Sequence, residues 1–181
     1  MTPIPSFVGA AGAWQNFYLL VGTAAATLIG LMFVAITFGA SFATQQTSES
    51  ARAFVDPTFT HFVQVLVTAC LMTIPTLGPT LLGVLLLMIG ALRTATLFRV
   101  FRHMREAARI HHDIELSDWL TGVALPLLCY LLLGATGAAF LAGYRAAFNI
   151  LAIGTIAILM NGVFGAWELI IWLALTRVRT K

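Results

Sequence analysis

The first long apolar run is the feature that most restricts the fold of this chain. From Trp14 to Ala43 the sequence has 30 residues without a single Asp, Glu, Lys or Arg. About 20 apolar residues are enough for an α-helix to cross the ~30 Å hydrocarbon core of a bilayer. The run is also continuous, whereas a membrane β-strand would alternate between apolar and polar positions. It therefore predicts a membrane-spanning helix.

The composition of the whole chain agrees with this prediction. Of the 181 residues, 60% are hydrophobic and only 9% are charged, whereas soluble domains carry about 25% charged residues. These values exclude a soluble enzyme, a disordered chain and a nucleic-acid-binding protein. The net charge of +3 is explained by basic membrane loops, so no nucleic-acid partner is expected.

The predicted fold class is all-α, a polytopic membrane protein with a five-helix transmembrane bundle as its single domain. The stretch from Pro57 to Phe98 is about twice too long for one span, and Pro75, Gly78 and Pro79 break it with a tight turn. Asp56 and Pro57 predict the start of the second helix, as an N-cap followed by proline. The predicted spans are about 14–43, 57–74, 79–98, 119–141 and 147–176, with a cytoplasmic loop at 99–118.

Basic residues predict the orientation of these spans. With five spans, eight loop and tail residues share one side of the membrane, and only Arg145 lies on the other. The positive-inside rule then places the N-terminus outside and the C-terminus in the cytoplasm. Trp14, Tyr18 and Tyr144 fit an outer aromatic belt. The eight residues are Arg52, Arg99, Arg102, Arg105, Arg109, Arg177, Arg179 and Lys181.

Small residues in the first span predict close helix packing. Gly22, Ala26 and Gly30 repeat every four residues, a pattern that lets helix backbones approach closely in lipid. The neighbour is either another helix of the same chain or a second copy. The expected assembly is a homo-oligomer, and another membrane protein is a possible partner.

Ionisable residues within the spans are the candidate functional residues, because charge in hydrocarbon is costly. Glu168 lies roughly 13 Å and Arg93 roughly 9 Å from the cytoplasmic ends of their helices, at 1.5 Å per residue. His61 enters from the same side. Glu168 and Arg93 are predicted to pair. The alternative is that Arg93 snorkels to the headgroups while Glu168 is protonated or hydrogen-bonded to Asn161.

Other polar residues share helix faces with these three. On the second helix the face carries Pro57, His61, Gln64 and Thr68, and on the fifth it carries Gly154, Asn161, Gly165 and Glu168. Together they predict a polar cavity in the cytoplasmic half, lined by the second, third and fifth helices. The cavity residues are Glu168, Arg93, His61, Gln64, Asn161 and Thr68.

The segment after the third span predicts a contact with lipid headgroups. Arg99, Arg102, Arg105 and Arg109 fall near one helical face, beside apolar residues. Either the third helix continues into the cytoplasm or the segment lies in the interface, and anionic lipids are the expected partners. His111, His112 and Glu115 are weak candidate metal ligands, because their spacing matches no specific zinc motif. A solvated loop is the preferred interpretation, so no metal or other cofactor is expected.

No phosphate-binding loop, nucleophile elbow or paired catalytic Asp is visible, so the chain is not expected to be an enzyme. Two function classes remain. The first is a small channel or transporter, for an ion or a proton, and the second is a non-catalytic subunit or scaffold of a larger membrane complex. The expected location is the cell inner membrane, as a multi-pass protein.

The first span also carries a pattern of aromatic, polar and small residues: Trp14, Asn16, Tyr18, Gly22, Thr23, Gly30 and Phe33. This pattern resembles small bacterial multi-pass membrane proteins of unassigned function. The resemblance covers mainly the first span and implies no site and no activity.

Overall fold

Residues 7–40, 45–108, 124–144 and 146–179 are described by the computed structural model. Within these ranges the chain forms five helices and no strand, which confirms the all-α prediction. The helices are α1 (Phe7–Ala40), α2 (Gln45–Thr73), α3 (Pro79–Ala108), α4 (Leu125–Leu141) and α5 (Ala147–Arg179). The predicted start of the fourth span, at residue 119, lies outside the described residues.

Four of these helices are long and apolar enough to cross a membrane. Their apolar parts are Gly9–Phe38, Val55–Thr73, Pro79–Arg99 and Ala147–Ile171. The described part of α4 is also apolar but has only 17 residues. By length and composition, the chain is therefore consistent with a membrane protein.

Helix α2 begins earlier than its sequence suggests. Asp56 and Pro57 were expected to start it, but the helix begins at Gln45 and Pro57 lies inside it. Proline lacks the N–H that would bond to the carbonyl four residues back, so one helical hydrogen bond is missing at this point. The apolar part nevertheless starts at Val55, close to the predicted position. The helix and its apolar part therefore begin at different residues in α2.

Helices α2 and α3 are joined by the tight turn predicted from Pro75, Gly78 and Pro79. Helix α2 ends at Thr73 and α3 begins at Pro79. Within the turn, the N–H of Leu77 donates to the carbonyl of Ile74 at 3.3 Å. Pro79 is tolerated at the start of α3 because its missing N–H would have had no partner in the helix.

The end of α4 is closed by a glycine that the sequence analysis did not single out. Gly143 has a φ of +76°, a conformation that glycine adopts without steric cost. Its N–H donates to Phe140 at 3.1 Å, and the N–H of Tyr144 donates to Ala139 at 2.9 Å. This pair of bonds is a Schellman motif, and it turns the chain directly into α5.

Contacts within the chain form two compact units, and the first comprises Met1–Gln15 and Leu71–Ala157. Glycines set the packing of α3 against α4 in this unit. A Cβ on Gly83 would lie 2.8 Å from the carbonyl oxygen of Gly137, and one on Gly90 would lie 2.7 Å from the backbone nitrogen of Gly134. The two helices are therefore antiparallel and touch backbone to backbone.

An aromatic cluster holds three helix ends together in the same unit. The ring of Phe140 is 4.9 Å from Phe148 and 6.1 Å from Phe7, between ring centres, and both pairs pack edge to face. Such pairs add about 0.5–1.5 kcal/mol to the burial of the rings. The start of α1, the end of α4 and the start of α5 thus lie at one end of the unit.

The second unit comprises Asn16–Cys70 and Ile158–Lys181. Here α1 runs antiparallel to α2, because Gly22 packs on Ala69 while Phe33 contacts Phe59. The side chains of Tyr18 and Ala25 are fully buried in this unit. Tyr18 therefore belongs to the protein interior and not to an outer aromatic belt, whereas Tyr144, in the first unit, is 67% exposed.

The three small residues predicted to form a stripe on α1 lie in two different environments. A Cβ on Gly22 would meet the Cβ of Ala69 at 2.8 Å, so Gly22 packs against α2 of the same chain. Gly30 has no atom within 4 Å of such a Cβ, and both Ala26 and Gly30 are exposed. Only these last two remain available to a second molecule.

Candidate functional site

The second unit contains a cluster of buried polar side chains between α2 and α5. It consists of Thr58, His61, Gln64 and Thr68 on α2 and Asn161 on α5, and we call it the α2–α5 polar cluster. Each of these side chains is at most 8% exposed. The four residues of α2 follow one another at intervals of three or four, so they lie along one face of the helix. Sequence reasoning identified four of the five but not Thr58.

The centre of the cluster is a hydrogen bond between helices. Nδ2 of Asn161 lies 3.3 Å from Nε2 of His61. An amide nitrogen only donates, so in this arrangement Nε2 accepts and the proton of a neutral ring lies on Nδ1. The structure therefore places His61 and Asn161 together, and it defines which ring nitrogen faces the partner.

Gln64 and Thr68 extend the cluster along α2. The Thr68 hydroxyl donates to the carbonyl of Gln64 at 2.9 Å, and Nε2 of Gln64 lies 3.4 Å from the Thr68 oxygen. Threonine hydroxyls commonly bond to the preceding helical turn in this way. These two side chains are thus hydrogen-bonded within their own helix, whereas His61 is bonded across to α5.

Two glycines of α5 make room for the cluster. A Cβ on Gly162 would lie 2.7 Å from the ring of Phe62 and 3.3 Å from the Cβ of His61. A Cβ on Gly165 would collide with the hydroxyl oxygen of Thr58. The backbone of α5 can therefore approach α2 closely enough for Asn161 to reach His61. Gly165 was noticed in the sequence as part of a helix face, and Gly162 was not.

Arg93 lies in the first unit, on α3. Its side chain is half-buried, and its charge acts on the hydroxyl of Tyr130, a residue of α4 that is 4% exposed. Sequence reasoning did not identify Tyr130, because nothing in the sequence indicated which face of α4 would meet Arg93.

Glu168 does not share the environment of the polar cluster. Asn161 is buried, but Glu168 is exposed. The buried row of α5 in this unit runs through Ile158, Gly162 and Leu169, at steps of four and seven residues. Glu168 follows Asn161 by seven residues and shares its face of α5, so this face is buried at Asn161 and exposed at Glu168. The pairing of Glu168 with Arg93 stays a prediction.

The predicted lipid-binding arginines lie on and beyond the end of α3. The helix continues through Arg99, Arg102 and Arg105 to Ala108, so the segment extends the third helix, one of the two alternatives considered. Arg109, His111, His112 and Glu115 lie outside the described residues. Among those that are described, no group of three or more His, Cys, Asp or Glu side chains could hold a metal ion.

A cavity of about 180 Å³ lies in the first unit. It is lined by α1, the end of α2, the following turn and the start of α3, mainly through apolar side chains. Gln15 and Thr73 are its polar residues, and Phe7, Met72, Pro75 and Leu82 are among the apolar ones. None of the six residues predicted to line a polar cavity contributes to it.

Comparisons with family models, with curated proteins and with solved structures found no match for this chain.

Proposed function

We propose that the chain is a five-span inner-membrane protein with its N-terminus outside and its C-terminus in the cytoplasm. Helix α4 counts as the fourth of the five spans in this proposal, although its described part has only 17 residues. Four long apolar helices support a membrane location, and the antiparallel packing of neighbouring helices supports alternating crossings. The eight-to-one division of basic residues supports the orientation.

The orientation can be tested with single cysteines in a background where Cys70 and Cys129 are replaced by alanine. A cysteine at Ser117, in the predicted cytoplasmic loop, should react with a membrane-impermeant maleimide only after the cells are opened. A cysteine at Tyr144, which is exposed after α4, should react in intact cells and serves as the control. Labelling of position 117 from outside would contradict the proposed topology.

We further propose that the protein is a small channel or transporter for an ion or a proton, with the α2–α5 polar cluster on its pathway. The observation that carries this proposal is the His61–Asn161 hydrogen bond, buried between two apolar candidate spans. Polar groups in hydrocarbon are costly and are therefore functional candidates by default. Gln64 and Thr68 extend the polar surface along α2.

Flux measurements in proteoliposomes test this function. Asn161→Leu should reduce flux at least tenfold, because it removes the hydrogen bond to His61 and leaves an apolar group in the pathway. Thr155→Val is the matched control. Thr155 is a buried polar residue of the same helix, but its hydroxyl donates to Leu151 of its own helix at 2.7 Å. Equal flux in both variants would exclude the cluster from the pathway.

A non-catalytic subunit or scaffold is the second candidate, and the exposure of Glu168 favours it. Large apolar side chains surround Glu168 on the outer face of α5: Phe164, Trp167, Ile170 and Ile171. A carboxylate on such a face is stabilised by a cationic or hydrogen-bonding group of another subunit. If Glu168→Gln releases a partner from the native complex and no flux is found, this second function replaces the first.

We also propose that the protein assembles as a homo-oligomer through the exposed Ala26 and Gly30. Gly30→Leu should weaken association without disturbing the single chain, since a Cβ at this position meets no atom within 4 Å. The mass of the complex in lipid nanodiscs measures this effect. Gly12→Leu is the control, because Gly12 is equally open but lies outside the stripe. If the unmodified protein is monomeric, the proposal is wrong.

Anionic lipid headgroups are the proposed partners of the arginines at the end of α3. The continuation of the helix to Ala108 supports this, because Arg99 is the last residue of the apolar part and the helix carries Arg102 and Arg105 beyond it. Each basic residue near an anionic surface adds about 1 kcal/mol of attraction.

A further inference from the structure

We infer that the ligand of the α2–α5 polar cluster is H⁺, bound at Nε2 of His61, with the side-chain amide of Asn161 reversing to accommodate it. This inference rests on the proposed function, because it names the ion of that pathway. It starts from one contact, the 3.3 Å separation of Nδ2 of Asn161 and Nε2 of His61.

The observed arrangement is the one expected for the unprotonated site. Nδ2 of Asn161 carries two hydrogens and no available lone pair, so Nε2 of His61 must supply the lone pair of the hydrogen bond. The ring is then neutral, with its single N–H proton on Nδ1. The site holds an unprotonated nitrogen in a buried position, and that nitrogen is the atom to which H⁺ can add.

Proton uptake reverses the direction of this hydrogen bond. H⁺ from water adds to the lone pair of Nε2, and the neutral imidazole becomes an imidazolium with N–H groups on both nitrogens. Nε2–H and the amide N–H of Asn161 would then be two donors facing each other. Half a turn of the amide brings its oxygen, Oδ1, to face the ring, where it accepts from Nε2–H. Release of the proton reverses both changes.

An amide suits this role better than the side chains that could replace it. A carboxylate at position 161 would hold the proton on His61, and an apolar side chain would bond to neither form of the ring. Asparagine offers a donor and an acceptor of similar size and shape. It can therefore satisfy both protonation states of His61 without a change in the position of either helix.

Charged side chains near His61 influence its protonation. The charged residues of the two helices nearest to it, Asp56 on α2 and Glu168 on α5, are both exposed. In the second unit, α1 contributes only Tyr18 as a titratable residue among those described. Among the residues whose burial the structure describes, no Asp, Glu, Lys or Arg is buried. His61 is the buried residue of this set that can gain a charge near neutral pH.

Nitrogen NMR of histidine-labelled protein in lipid bilayers tests the inference directly. The His61 signals are assigned by their loss in His61→Gln, which separates them from the other three histidines. We expect a neutral ring protonated on Nδ1 at about pH 8 and an imidazolium at about pH 5. Asn161→Asp should keep the imidazolium to a pH at least one unit higher. Thr155→Val, the control, should leave the titration unchanged.

Proton flux into the same bilayers, driven by a pH gradient, is measured in parallel with and without His61→Gln. If His61 stays neutral over the whole range, or if its neutral form carries the proton on Nε2, the inference is overturned whatever the flux shows. If His61 titrates as expected and His61→Gln reduces proton flux at least tenfold, both proposals are supported. If His61 titrates but no ion crosses, the proton site is supported and the proposed function fails.

Discussion

Replacing Gly137 with alanine is expected to destabilise the protein by about 1–3 kcal/mol, the usual cost of adding atoms to a well-packed interior. The new Cβ would lie 2.6 Å from the carbonyl oxygen of Gly83 and 2.6 Å from the amide nitrogen of Leu87. Both are backbone atoms of α3, so neither can rotate away. Helix propensity alone would favour alanine by about 1 kcal/mol. Net destabilisation would therefore show that the steric clash with α3 costs more than this propensity gains.

Gly134→Ala is the matched control for this prediction. Gly134 lies on the same helix, three residues earlier, but a Cβ built on it has no neighbour within 4 Å. The change should therefore stabilise the protein by up to about 1 kcal/mol through helix propensity. Unfolding of both variants by denaturant in mixed micelles gives the comparison. If the two changes have the same effect, the described packing of α3 on α4 is wrong.

Replacing Gly165 with alanine is expected to have an effect of similar size, about 1–3 kcal/mol of destabilisation. The cause is a single side-chain atom, because the new Cβ would collide with Oγ1 of Thr58. The next nearest atom of Thr58 is its Cβ, at 3.5 Å, which is an ordinary contact distance. A second substitution, Thr58→Ala, removes both the hydroxyl group and the γ-methyl group, and it should therefore restore the packing.

The double variant Thr58→Ala, Gly165→Ala tests this explanation. It should recover most of the stability lost in Gly165→Ala, and the size of the recovery is the coupling free energy of the double-mutant cycle. Thr58→Val is the control partner, because it keeps a carbon atom near the Oγ1 position and should give no rescue. Equal results with alanine and valine at position 58 would show that Oγ1 is not the obstacle.

The helices themselves could be predicted from the lengths of the apolar runs, and their ends could be predicted only in part. The turn at Pro75, Gly78 and Pro79 follows from local chain geometry, and the structure has it at the predicted position. The start of α2 does not follow from local geometry. The polar residues from Gln45 onward show no apolar periodicity, and Asp56 followed by Pro57 resembles a helix start. In the structure the helix continues through Asp56 and Pro57, although proline is disfavoured inside a helix.

The polar cluster was partly predictable for a similar reason. The spacing of His61, Gln64 and Thr68 places them on one face of a helix whatever its neighbours are. The partner across the interface depends on the register between α2 and α5, which the sequence alone does not specify. The same limitation explains why the sequence did not indicate that Gly83 and Gly90 of α3 would lie against Gly137 and Gly134 of α4. It also explains why Glu168, on a row shared with Asn161, lies on the exposed surface.

Helix α1 is longer than a bilayer requires, and this has a consequence for the aromatic cluster at its start. Its apolar part, Gly9–Phe38, has 30 residues, or about 45 Å at 1.5 Å per residue, against a hydrocarbon thickness of ~30 Å. Such hydrophobic mismatch is relieved by tilt or by placing one end among the headgroups. Trp14 is an interfacial anchor by residue type, and it lies only five residues after Gly9. If Trp14 lies in the interface, the Phe7, Phe140 and Phe148 cluster lies at headgroup depth, where the buried rings of Phe140 and Phe148 pack three helix ends together without contacting lipid.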